Sequence, residues 1–337
     1  MGTDKTVLFG TAFYHSSGKA PNGWTLSESA KFKMYYRCMV VCYASVRRSY
    51  PEARLVLYSN RELPEPFNSQ LAALGVITEA CGERYVNDPA FSNNFPGCLY
   101  TLDVIETLAK SPPLGIDTVV LLDSDCVIRT RLDRLEAVAQ GTGRVYAYEP
   151  GFSVNMLANG QSRASLTLAL SYFMNRLIHE PIPLYGGEFF AAPIKLLHRV
   201  SKNIECFWDW MKEEGVGTFG SLLTEEHVLS VALADPGIEV LSKTCNVKRV
   251  WTADTFSTVD GAETTIPVWH LPSEKKRGFR VLYKYCQRHG GFMHLSDGDF
   301  LALVDEAFPL QQRSRHYPGK QMQLRLRSAA RLLVTGR

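Results

Sequence analysis

No stretch of about 18 consecutive apolar residues occurs in this chain of 337, which argues against a membrane-spanning helix. Its 8 cysteines include no CxxC pair, so neither a zinc ribbon nor a redox dithiol is written here. No fixed-period repeat and no low-complexity linker is visible, which excludes solenoids, propellers and tethered arrays. The opening MGTDKTVLFGTAF lacks a basic segment leading into a long apolar one, so no secretory signal is expected. Charge of neither sign dominates: 37 Lys and Arg against 34 Asp and Glu leave +3, too little to argue for a nucleic-acid partner.

What is present is the make-up of a globular protein, with 45% hydrophobic and 21% charged residues. A chain this long buries about three quarters of its unfolded surface and needs no disulfide staples. Scattered thiols therefore read as reduced, and a cytoplasmic location is expected. TVLFGTAF near the start and ARLVLYSN read as buried strands separated by a Gly- and Pro-free helical stretch over about 28–49 that stops at Tyr50-Pro51. FNSQLAALG, VITEA and CLYTLDVIETLAK continue as helix, strand and helix. DTVVLLDSD then has the near-continuous aliphatic run of a strand covered on both faces. The alternation predicts an α/β fold, with ligands beyond the carboxyl ends of the strands. Further helices are expected at about 162–179 and 194–213. We read 1–290 as one unit, comprising a nucleotide-binding half (1–130) and an acceptor and metal-completing half (131–290), followed by a helical basic tail (291–337). Residues 312–337 carry seven Lys and Arg and no carboxylate.

The sharpest chemical feature is Asp123-Ser124-Asp125 at the end of VVLL. Two carboxylates at i and i+2, on a chain leaving a sheet, can share a divalent cation and leave its other positions for phosphate oxygens. The stretch DTVVLLDSDCVIRTRLDRL resembles the Asp-x-Asp segment of GT-A glycosyltransferases. In VWHLPSEKK, His270 and Lys276 repeat the six-residue His-to-Lys separation of glycosyltransferase family 8, the glycogenin-like enzymes. This chain departs from that family at Ser273, where it has Gly, and at Arg277-Gly278, where it has Pro-Trp. Tyr185-Gly186-Gly187-Glu188 also stands where the family carries an Asn-x-Gly type turn. The resemblance implies a GT-A, Rossmann-like mixed sheet flanked by helices, with a helical C-terminal extension. It also implies a metal site of Asp123, Asp125 and His270 for Mn²⁺ or Mg²⁺, with Ser124 alongside and Lys276 on the diphosphate. The imidazole favours Mn²⁺.

Gly186 and Gly187 before an apolar strand would let backbone approach a ligand, with Glu188 near it. TEEHVLSVAL opens with an N-cap type Thr224 and acids in the first turn. It is also similar to the Asp-Glu-Ser-His-Leu segment of family 6 retaining galactosyltransferases, which puts Glu225 on their nucleophile position. One of Glu188, Glu225 and Glu226 is thus expected beside the anomeric carbon. Thr11, Phe13 and Tyr14, at the mouth of the first strand, match the nucleoside position. Together these features imply a metal-dependent hexosyltransferase that uses a nucleotide-sugar donor, UDP-linked by the family 8 resemblance, with retention of configuration expected ahead of inversion, for which Glu188 could serve as general base. Its acceptor would be a glycan, a lipid-linked sugar or a small molecule. The tail QMQLRLRSAARLLVTGR reads as a short basic amphipathic helix, suited to peripheral contact at the inner face of a membrane. Two rivals fit less of the chain: a haloacid-dehalogenase-type phosphohydrolase, on Asp123 to Val127, and a nucleotide-sugar binding module without turnover.

Overall fold

A computed structural model describes residues 6–16, 26–91, 97–132, 144–215, 224–242, 246–253 and 256–310. The basic tail beyond 310 lies outside the described residues. The chain begins with β1 (Thr6–Phe13), α1 (Glu28–Ser49), β2 (Arg54–Ser59), α2 (Phe67–Ala73), β3 (Val76–Glu79), α3 (Tyr100–Lys110) and β4 (Ile116–Leu122). It continues through β5 (Cys126–Ile128), β6 (Arg144–Ala147), α4 (Arg163–Phe173), β7 (Phe189–Pro193), α5 (Ile194–Trp210) and α6 (Glu225–Ala232). The last elements are β8 (Glu239–Leu241), β9 (Val247–Arg249), β10 (Thr252–Ala253), β11 (Phe256–Ser257), β12 (Val268–His270), α7 (Gly278–His289) and α8 (Asp297–Ala307).

Local chemistry sets several boundaries. Ser27 caps α1 by accepting the amide of Ala30, and the chain before Pro51 cannot stay helical. The helix expected to about 179 ends at Phe173, because Asn175 adopts φ 47°, the left-handed stop that Asn tolerates better than most residues.

The main sheet runs β3-β2-β1-β4-β7-β6-β8. Strands β3, β2, β1 and β4 are parallel, β7 is antiparallel to both β4 and β6, and β8 is parallel to β6. This is the mixed sheet flanked by helices that was expected. Two apolar clusters cover its faces. On one, α1 packs with α7 and α8 through Met39, Tyr43, Phe279, Phe300 and Val304. The other gathers α3, α4, α5 and α6 around Tyr100, Leu170, Phe207, Trp208 and Leu229. Helix α8, read from the sequence as part of an appended tail, contributes fully buried Phe300 and Val304 to the first cluster.

A second, three-stranded sheet, β5-β12-β9, bears on function. Strand β5 leaves the DSD turn, β12 runs antiparallel to it and β9 parallel to β12. In this register His270 lies opposite both Cys126 and Arg249. Residues separated by more than a hundred positions thus meet at the carboxyl end of β4. Among the described residues, no helix is long and apolar enough to cross a membrane.

Candidate metal centre and cleft

Asp123 and Asp125 sit in the turn between β4 and β5. The turn is held by the Cys126 amide donating to the Asp123 carbonyl and the Leu271 amide donating to the Asp125 carbonyl, at 3.1 and 3.0 Å. His270 Nε2 approaches Asp123 Oδ2 at 3.3 Å and Asp125 Oδ2 at 3.4 Å. Oxygen or nitrogen from all three residues falls within one 4.8 Å group. Separations of this size suit neighbouring ligands of one ion with bonds of about 2.0–2.6 Å. Two carboxylates and an imidazole are also a donor set that divalent metals accept. The residues present therefore fit a metal. The Asp123 side chain is 45% exposed while those of Asp125 and His270 are 4% and 8% exposed, so Asp123 faces the opening.

Burial by itself would lower the His270 pKa, but the carboxylates of Asp125 and Glu188 overcome it and push it up to about 10. Burial would likewise raise the Asp125 carboxyl, yet Lys275 and His270 hold it well below the usual range. Lys275, which is buried, forms an ion pair with Asp125 and lies 5.3 Å from the centroid of the Tyr35 ring. Lys276 is exposed. Of the two lysines, both in the turn that precedes α7, it is the first that reaches Asp125, while the second faces solvent.

Behind the imidazole stands Glu188, fully enclosed, with Oε1 3.4 Å from His270 Nδ1. Arg249 donates from Nε and Nη2 to its two oxygens, both at 2.6 Å. The same Nη2 donates to Glu226 Oε1 at 2.5 Å, and Asn159 Nδ2 donates to Glu226 Oε2 at 3.2 Å. Burial raises the Glu188 carboxyl, but Arg249 and His270 outweigh it and bring it down to about 2. Glu225 differs: burial and the neighbouring Glu226 raise its pKa above the ordinary carboxylate range, and its Oε2 is enclosed without a hydrogen-bond donor.

The glycines are explained by these acids. A Cβ on Gly186 would lie 2.0 Å from Glu188 Oε2, and one on Gly187 2.2 Å from Glu225 Oε1. The space that the sequence suggested for a ligand is taken by the chain's own carboxylates. His227 is also accounted for internally. Its Nδ1 accepts from the Thr224 amide at 3.1 Å and its Nε2 donates to the Ala158 carbonyl at 2.9 Å, so the proton sits on Nε2. It closes the capping box of α6.

At the mouth of β1, where the sequence reading places a nucleoside, Thr11 and Phe13 are buried. The Tyr14 hydroxyl donates to Glu83 and Asn87 at 3.1 and 3.0 Å, and its ring rests on Tyr100. Beyond the carboxyl ends of β1 and β2 lies a cleft of about 480 Å³ bordered by His15, Ser29, Phe32, Tyr36, Arg61 and Glu62. Phe13 and Tyr35, with rings 5.8 Å apart, bridge from it toward Lys275.

No family model matches this chain, and no curated protein matches it. It is similar in structure to galactosyltransferase LgtC in complex with donor and acceptor sugar analogs, with 13% identity, 89% of this chain and 95% of that one covered, and a TM-score of 0.47. An active-site mutant of LgtC is similar at 14% identity over 79% of this chain and 86% of that one, with a TM-score of 0.46.

Sequence reasoning did not find Arg249 or Asn159. Arg249 sits in the unremarkable run VKRVW, and only its register opposite His270 singles it out.

Proposed function

We propose that this protein is a metal-dependent glycosyltransferase of the GT-A type. It moves a sugar from a nucleoside-diphosphate donor, UDP-linked in the first instance, to an acceptor hydroxyl with retention of configuration. The single observation that carries the reading is the convergence of Asp123, Asp125 and His270, from two remote parts of the chain, at the carboxyl end of a central strand. An ion held there supplies positive charge where the departing diphosphate gathers negative charge.

Each of the chain's own groups then has a task. Lys275 neutralises Asp125, and Lys276, exposed one residue further on, meets phosphate oxygens at the opening. The aromatic cleft of His15, Phe32 and Tyr36 receives the base by stacking. We take Glu225 and Glu226 over Glu188 for the carboxylate beside the anomeric carbon, because Glu225 is half-buried rather than enclosed and Glu226 adjoins it, whereas Glu188 lies fully enclosed behind His270. Glu226, with Arg249 and Asn159 on its two oxygens, is the oriented anion. Glu225, half-buried and with its pKa raised by burial and by Glu226, is the proton donor toward a sugar hydroxyl.

The test is release of nucleoside diphosphate from UDP- and GDP-sugars in Mn²⁺ against EDTA, with proton NMR of fresh product for the configuration. Turnover that needs the metal and disappears in Asp125→Ala is expected. Metal-independent turnover, or steady phosphate release from simple phosphomonoesters with no action on nucleotide sugars, would refute the reading.

A further inference from the structure

We propose that Arg249 is a positioning residue that governs both ends of the cleft, fixing Glu226 at the transfer end and occupying both oxygens of the Glu188 carboxylate that backs His270 at the metal end. The inference rests on the metal-dependent reading above. Glu188 and Glu226 come from different elements, one just before β7 and the other in the first turn of α6. One guanidinium on β9 serves both, with Nη2 shared between them. A planar fork can do this, whereas a lysine ammonium cannot match the bidentate half of the contact.

At the metal end the consequence lies in what His270 lacks. A carboxylate that accepts a proton from the far nitrogen of a ligating imidazole makes the imidazole a stronger ligand. Here Glu188 stands in that place, but both its oxygens accept from Arg249 at 2.6 Å, while the imidazole Nδ1 lies 3.4 Å from Oε1, so His270 lacks a short, well-formed bond to the carboxylate behind it. Arg249 thus weakens the grip of the site on an ion by occupying the carboxylate that would tighten it. At the transfer end it does the opposite: together with Asn159 it fills both oxygens of Glu226 and leaves that carboxylate one orientation.

The two effects predict opposite changes when the side chain is shortened. Metal-free Arg249→Met and Arg249→Lys are titrated with Mn²⁺ alone, free ion being read by electron paramagnetic resonance, and kcat and donor KM are measured separately. Arg249→Met is expected to bind Mn²⁺ about tenfold tighter, within the range that partners of ligating residues command. Its kcat is expected to fall about 100-fold, the scale of a misplaced reacting group, with donor KM little changed. Arg249→Lys should lie between the wild type and Arg249→Met in both. Because Arg249→Met leaves two enclosed carboxylates without their cation, the pair Arg249→Met with Glu226→Gln restores the charge balance and should keep the tighter Mn²⁺ binding. Unchanged or weaker Mn²⁺ affinity in these folded variants overturns the inference and reduces Arg249 to a structural ion pair. Failure of the wild type to bind Mn²⁺ overturns the metal reading itself, so the two failures are distinguishable.

Discussion

Lys275→Met is the most direct probe of the cleft's electrostatics. Lys275 and Asp125 have side chains only 5% and 4% exposed and form a direct ion pair. Removing one partner of such a pair leaves a charge that solvent does not reach, at a cost of about 3–5 kcal/mol. Methionine has nearly the same length and remains compatible with the Tyr35 ring, so loss of packing is a small part of that cost. A metal should return part of the loss by taking over the neutralisation of Asp125. Binding at 100 times Kd contributes about 2.7 kcal/mol to any folded protein, and the variant should gain more than the wild type at the same free Mn²⁺. Urea unfolding in EDTA and in Mn²⁺, at pH 7, gives all four values. Acid should narrow the gap in EDTA. In the wild type Asp125 titrates below its unfolded value, so its contribution is present above about pH 4 and is lost as pH falls further. If Lys275→Met is as stable as the wild type in EDTA, Asp125 is not the enclosed anion described here.

Gly187→Ala and Gly186→Ala drive a Cβ into Glu225 and Glu188. Overpacking of about 1–3 kcal/mol is expected, together with a fall in turnover larger than the change in Tm predicts, read by thermal melting and nucleoside-diphosphate release. His270 has its folded pKa raised above 6.5 to about 10, so in EDTA its stabilisation is complete below pH 6.5 and is lost as pH rises through about 10. The difference in unfolding free energy between wild type and His270→Gln should accordingly shrink over that window, by no more than about 1.4 kcal/mol per pH unit; a constant difference would show that the imidazole is not held protonated between these acids. Thr224→Ala removes the side chain that caps α6 and should cost about 1 kcal/mol in urea unfolding, with a loss of activity because Glu225 and Glu226 open that helix. An unchanged kcat would separate the first turn of α6 from the chemistry.

Much of the first half was legible because its signals are local. TVLFGTAF, the uninterrupted stretch over 28–49 and the aliphatic run before Asp123 each carry their own periodicity or lack of breakers, and they appear as β1, α1 and β4. The Asp-x-Asp pair was readable as a candidate because carboxylates at i and i+2 on a chain leaving a strand can share a cation, and His270 through a His-to-Lys spacing that resembles family 8. Sequence by itself determined these elements and the donors available to a metal.

Tertiary structure decided the rest. Which lysine reaches Asp125 depends on the turn between β12 and α7, which buries Lys275 and exposes Lys276. The role of the glycine pair depends on carboxylates that arrive from elsewhere in space, and Arg249 becomes significant only through its register against His270 in the small sheet. Helix periodicity and strand alternation are encoded within a few residues. The pairing of β5, β12 and β9 joins segments more than a hundred residues apart, and it is selected by the packing of the whole core rather than by any of those segments alone.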